Sequence, residues 1–171
     1  MIHFISDVIY PPVSEDIPAK LASDGRFGTL LTAVEMAGLG ELLTESKAWI
    51  FKRFTLIVKK ASLSFLAGPF TVFAPTDEAF DRIPRDTLDE ILQNKDLLSR
   101  ILRRHVIIGK TLYARGISWD VHETAGSESI ATQVFKNGVI KVAANLDSSA
   151  FVQQTDLLAT NGVIHVIDAV I

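Results

Sequence analysis

The periodicity of the chain changes once along its length, and that change limits the folds open to it. Up to about His105 the apolar residues recur mostly at helical spacing; beyond it they alternate in short runs. The first part predicts a short helix from Ile17 to Ala22, capped by Asp16 with Pro18 in its first turn. A second helix runs from Phe27 to Ala37, with Phe27, Leu30, Leu31 and Val34 on one face. Gly38 and Gly40 interrupt it, and Leu39, Leu42 and Leu43 suggest a further turn. Phe70–Ala74 is a strand held between Gly68-Pro69 and Pro75. Thr76 then caps a helix whose positive end suits Asp77 and Glu78. Pro84 opens another helix with Leu88, Ile91 and Leu92 inward. Asn94 caps the next, with Leu97, Leu98, Ile101, Leu102 and His105 on one side.

The remainder predicts strands at Val106–Ile108, Trp119–Thr124, Ile130–Phe135, Val139–Ala143, Phe151–Thr155 and Val163–Ile167. Asn137-Gly138 and Asn161-Gly162 are turn signals able to take positive φ. Helices first and strands after argue for an α+β domain rather than alternating βαβ units.

The 171 residues are 48% hydrophobic, enough for one domain with a real core. Seventeen basic residues against 20 acidic ones give a net charge of −3, which argues against a nucleic-acid partner. There is no cysteine, hence no disulfide, thiol nucleophile or thiolate metal site. No run of about 20 apolar residues predicts a transmembrane helix. No secretory leader pattern opens the sequence. Catalysis has no visible basis: there is no glycine-rich phosphate loop, no HExxH and no nucleophile elbow. His3, His105, His122 and His165 are scattered, and two histidines without a carboxylate partner make a poor metal site. Neither cofactor nor metal is expected.

The two ends repeat each other. Residues 2–9 read IHFISDVI and residues 164–171 read IHVIDAVI, identical at five of eight positions and pairing His3 with His165. Read as equivalent strands of successive domains, they place the last strand and linker of a preceding copy at 1–13, with Pro11-Pro12 as the linker. The domain itself then spans 14–171, cut from a tandem array and separated from any leader.

Thr71 to Phe80 reads TVFAPTDEAF and Asn161 to Ile171 reads NGVIHVIDAVI, with Arg-His-Val at 104–106 between them. This resembles the fasciclin domain, with its two signature segments and an intervening tyrosine-histidine segment. The resemblance implies a β-wedge or sandwich with several helices packed on it. It also implies tandem arrays on extracellular or cell-surface proteins and partners among cell-surface receptors, matrix proteins and neighbouring fasciclin domains. Asn94, Lys95, Asp96, Leu97 and Leu98 (NKDLL) are similar to the integrin motif NKDIL of the transforming-growth-factor-β-induced protein and periostin group. Integrins engage an acidic ligand residue through a bound divalent ion, which singles out Asp96. The sequence departs from the family at Arg104, where tyrosine is usual, so adhesion through a tyrosine-histidine pair is in doubt.

Each segment also has a sufficient structural account. Thr71 lies in the strand, Phe73 and Phe80 pack in the core, Pro75 sets the turn, and Thr76 and Asp77 serve the helix start. Gly162 sits in a turn. His165 is a buried, hydrogen-bonded histidine, and His105 is a donor at a helix end.

One stretch does not fit. Residues 47–67, KAWIFKRFTLIVKKASLSFLA, carry five basic residues and no acid, where the family has a short connection. The offset between the two end segments exceeds a usual repeat by about the length of this stretch. Either it is a genuine insertion suited to an acidic polysaccharide or a membrane surface, with Arg100, Arg103, Arg104 and Lys110 adding to it, or, as the preferred reading, it is extra coding sequence. In both cases it is expected to be less ordered than its surroundings. A pure spacer role is a third reading of the whole domain.

Overall fold

A computed structural model describes residues 13–39, 69–145 and 148–171. The repeat strand at 2–9, the Pro11-Pro12 linker, Leu42, Leu43 and the 47–67 stretch lie outside the described residues. Helix α1 (Ile17–Asp24) begins where the Asp16 carboxylate accepts the Ala19 N–H at 3.0 Å, and ends at Gly25, whose φ of 78° a side chain would resist. Helix α2 (Gly28–Met36) follows, but Phe27 before it has no side chain able to cap. Strand β1 (Phe70–Pro75) leads into three helices: α3 (Asp77–Asp81), α4 (Arg85–Gln93) and α5 (Lys95–Arg104). Six strands complete the chain: β2 (Val106–Ile108), β3 (Asp120–Glu123), β4 (Ser129–Val134), β5 (Ile140–Ala143), β6 (Ser149–Ala159) and β7 (Gly162–Ile167). A single 3-10 turn, Ala114–Gly116, sits between β2 and β3.

The strands form one seven-stranded sheet in the order β2-β1-β7-β6-β5-β4-β3. Every neighbouring pair is antiparallel except β1 with β7. The wedge is this sheet curled on itself: just past β3, the Ala125 N–H donates to the Val106 carbonyl of β2 at 2.8 Å, so the two ends of the strand order meet. The arrangement is the α+β class expected from the order of periodicities.

The curl makes two cores. Phe70, Val72 and Ala74 of β1 and Ile164 and Val166 of β7 face the helices, packing with Ile17, Phe27, Leu30, Phe80, Leu98 and Leu102. The alternate residues Phe73 and Ile167 face inside the curl, with Ile107, Ile130, Val142, Ala150 and Ile171. All six positions of β1 are therefore buried, as a strand covered on both faces requires.

Two expectations change in detail. Strand β6 extends well beyond Phe151–Thr155, to Ser149–Ala159, because register shifts between Val152 and Leu157 let it bend, with Asp156 at a φ of 58°. At the β4–β5 hairpin only Gly138 takes positive φ (83°), closing a turn in which the Phe135 N–H donates to the Val139 carbonyl.

Candidate functional site

The signature residues gather where β1 and β7 run side by side. Thr71 fixes the loop after β2: its hydroxyl donates to the Lys110 carbonyl at 2.8 Å and accepts the Leu112 N–H at 2.9 Å. The Phe73 ring stacks on His165, centroids 5.6 Å apart. Pro75 closes β1 opposite Ile167, and the Thr76 hydroxyl accepts the Ala79 N–H at 3.3 Å, as a cap should. Phe80 is buried against the helices.

Asp77 does more than the local sequence announces. Its carboxylate accepts the N–H groups of Gly28 at 3.2 Å and Thr29 at 2.7 Å, and so caps α2 from another part of the chain. That supplies the cap Phe27 lacks, with a charge at the positive helix end. Asp77→Ala should therefore lower stability by about 2 kcal/mol. Thermal unfolding should show a midpoint lower by about 6 °C. Asp77→Asn, which keeps an acceptor, should lose less, and exposed Glu78→Ala should change little.

Both histidines of the motifs are buried and hydrogen-bonded within the domain. The His165 Nε2–H donates to the Leu112 carbonyl at 2.6 Å, while Nδ1 receives the Asp156 N–H at 3.4 Å. Burial pushes its pKa down, against the pull of the Leu112 carbonyl and the Asp156 charge. His105 ends α5. Its Nδ1–H donates to Ile101 at 2.8 Å, its Nε2 accepts the Ile171 N–H at 3.0 Å, and its own carbonyl accepts the Phe73 N–H at 2.9 Å. Burial lowers its pKa to about 4; the Ile101 bond opposes this and the Arg104 charge adds to it. Phe73 is thus held by the His165 ring on its side chain and by the His105 carbonyl on its N–H. Among the described residues no group of three or more histidine, aspartate or glutamate side chains is placed to hold a metal.

Arg104, where the family usually has tyrosine, instead pairs with Glu128, as does Arg100. The two guanidiniums, that of Arg104 foremost, hold the Glu128 carboxyl below its usual range. Two of the four cations expected to extend a basic surface are thereby spent within the domain.

The NKDLL segment forms the corner between α4 and α5. The Asn94 side chain accepts the Leu97 N–H at 3.1 Å, Leu98 is buried in the helix-side core, and Leu97 is half-buried. Lys95 and Asp96 face solvent in the first helical turn. The leucines of the motif are thus packing residues, and the side chains free to meet a partner are Lys95 and Asp96.

Some residues carry more than the sequence reading gave them. Asn161 is buried; its side chain accepts the Ile17 N–H at 3.0 Å and its carbonyl accepts the Phe70 N–H at 3.0 Å, tying α1, β1 and β7 together. His122 is buried and bonds the Thr132 hydroxyl at 3.2 Å, while its Nδ1 has no hydrogen-bond partner and lies 3.9 Å from the Asp120 carboxylate. Trp119 and Val121 on either side of Asp120 point to solvent. Hydrophobicity was a misleading signal here: in β3 the one buried residue is His122, and Val121 beside it is exposed.

The fold is a curled mixed sheet with helices against its β2-β1-β7 end, and the polar residues of its signature segments make hydrogen bonds within the domain. The sequence pattern of the fasciclin domain matches residues 25–171, and the chain belongs to the fasciclin domain family. It is 39% identical over 152 residues to protein sll1483 of Synechocystis, covering 88% of this chain and 69% of that one. It is 28% identical over 171 residues to human periostin, covering 98% of this chain and 17% of periostin. The fold matches a fasciclin domain pair from the insect cell adhesion molecule fasciclin I, with a TM-score of 0.65 at 20% identity, over 93% of this chain and 51% of that one. Among the described residues no helix is long and apolar enough to cross a membrane.

Proposed function

We propose that the chain is an adhesion module of an extracellular or cell-surface protein built from tandem fasciclin domains, and that it binds an integrin-type receptor through the start of α5. The observation that carries this reading is the division of labour within NKDLL. Asn94 and Leu98 lock the helix start in place, and that leaves the Asp96 carboxylate presented to solvent on a rigid turn. A carboxylate so placed can complete the coordination of a divalent ion held by a receptor, because hard cations take oxygen ligands. Its rigidity reduces the ordering cost of binding. Neighbouring fasciclin domains and matrix proteins are further partners on this reading.

The test is attachment of integrin-bearing cells to surfaces coated with the domain. Attachment should need divalent ions. Asp96→Ala should raise the coating density for half-maximal attachment by about tenfold, with an unchanged melting midpoint. Attachment indifferent to both chelator and substitution would remove the receptor reading and leave the domain as a spacer.

A further inference from the structure

The outward face of the β3–β6 half of the sheet has an unusual surface. Among the described residues no helix packs on it, and it exposes large apolar side chains. Val121 pairs with Ala131, Ala131 with Ala143 and Ala143 with Ser149, a row whose last three side chains are short. Beside it Gln133 pairs with Lys141 and Lys141 with Phe151. Trp119 comes one residue before β3, whose Asp120 pairs with Thr132, so strand alternation carried back one residue sets it beside Gln133 at the end of this second row. Trp119 is 83% exposed, Val121 60% and Phe151 44%. The Lys141 ammonium lies 6.0 Å from the centroid of the Phe151 ring.

We propose that this face is a binding platform for a uronate-bearing polysaccharide. Three features select that occupant. Exposed aromatic residues at the two ends of the Trp119-Gln133-Lys141-Phe151 row, three strand spacings or about 14 Å apart, match the C–H faces of a few linked pyranose rings. Between them Gln133 offers an amide to sugar hydroxyls and Lys141 an ammonium to a carboxylate. The cation sits in the middle of the row, and Lys136 is exposed at the neighbouring hairpin tip. A protein partner is disfavoured by the same placement, since lysine is depleted from the cores of protein interfaces. A densely sulfated chain is disfavoured as well, because Glu123 lies on this face and the positive charge is sparse.

At the β3 edge of the platform one backbone donor is already engaged. The outer N–H of β3 at Val121 is taken by the Asp120 carboxylate at 2.8 Å. The site is independent of the α5 corner, so Asp96→Ala leaves it intact.

The experiment uses the full chain with Trp49→Phe, which leaves Trp119 as its one tryptophan. Polygalacturonate should shift and quench the Trp119 emission saturably, while a neutral glucan and heparin do not. Trp119→Ala in the unaltered background and Lys141→Gln should each weaken polygalacturonate binding at least about tenfold, with melting unchanged. Because Trp119→Ala alters no charge, its effect separates this face from the basic 47–67 stretch. Binding that survives Trp119→Ala, binding of the neutral glucan equal to that of the polyuronate, binding to heparin alone, or self-association through Trp119 in place of glycan binding would each overturn the proposal. So would no binding to any of the three.

Discussion

Gly162→Ala should be the most damaging single-methyl change in the domain. A Cβ at this position would lie 2.2 Å from the Phe70 carbonyl oxygen and 2.9 Å from the Phe70 carbonyl carbon and nitrogen. These are backbone atoms of the strand paired with β7, so no rotamer change can relieve the overlap. Phe70 is further fixed by its N–H bond to the Asn161 carbonyl and by its packing in the helix-side core. Relief requires β1 and β7 to part where both are buried. The cost should be at least about 3 kcal/mol, at the upper end for overpacking, against a total stability of roughly 5–15 kcal/mol for a domain. Thermal or urea unfolding should show a midpoint lower by about 10 °C, or a variant that does not fold. A midpoint within about 2 °C of wild type would show that the two strands do not approach this closely in solution.

Acid should be the second large effect. His105 titrates near 6.5 when unfolded and at about 4 when folded. Between those values the unfolded chain takes up a proton that the folded one refuses. Stability is thus full above pH 6.5, falls as the pH drops toward 4, and levels where both states are protonated. The loss from this ring is roughly 3 kcal/mol. His165 and His122 are also lowered by burial and add in the same direction. Urea unfolding at pH 7.5, 6, 5 and 4.5 should therefore show a steep decline well above the carboxylate range. His105→Gln keeps an acceptor near the Ile171 N–H, and should start less stable at pH 7.5 but lose stability more slowly on acidification. An unchanged slope would mean that His105 does not refuse its proton in the folded state.

What the sequence revealed was mostly local chemistry. The caps at Asp16, Thr76 and Asn94 act within three residues, so composition and spacing identify them, and the structure bears them out. The burial of Phe73, Phe80, Leu98 and His165 was legible for the same reason: each sits among apolar neighbours in its own strand or helix. Asp77 was legible only in part. Its type suits its own helix start, but its actual partners, Gly28 and Thr29, are chosen by tertiary packing that no local pattern encodes. Gly162 reads as a turn residue, yet it is needed for close approach to β1, a contact across about 90 residues of chain.

The candidate surfaces were harder to see. The sequence predicts a strand over Trp119–Thr124 but not which of its faces is buried. The structure turns His122 and Thr132 inward, where they bond to each other, and leaves Trp119 and Val121 outside. Hydrophobicity predicts burial only when a neighbouring element is there to cover the face, and here the helices lie on the other end of the sheet. At the α5 corner, residue type and spacing identify the cap and the buried leucine, but a partner leaves no mark on either.

The central claim is that the signature segments build the domain while the start of α5 meets the receptor. Amide hydrogen exchange of the domain, with and without a soluble integrin ectodomain in divalent ions, tests it most directly. The account predicts slowed exchange over Lys95–Leu98 in the complex, little change in β1 and β7, and no complex with Asp96→Ala. No complex with the wild-type domain, a complex that leaves these amides unprotected, or one that forms equally well with Asp96→Ala, would contradict it.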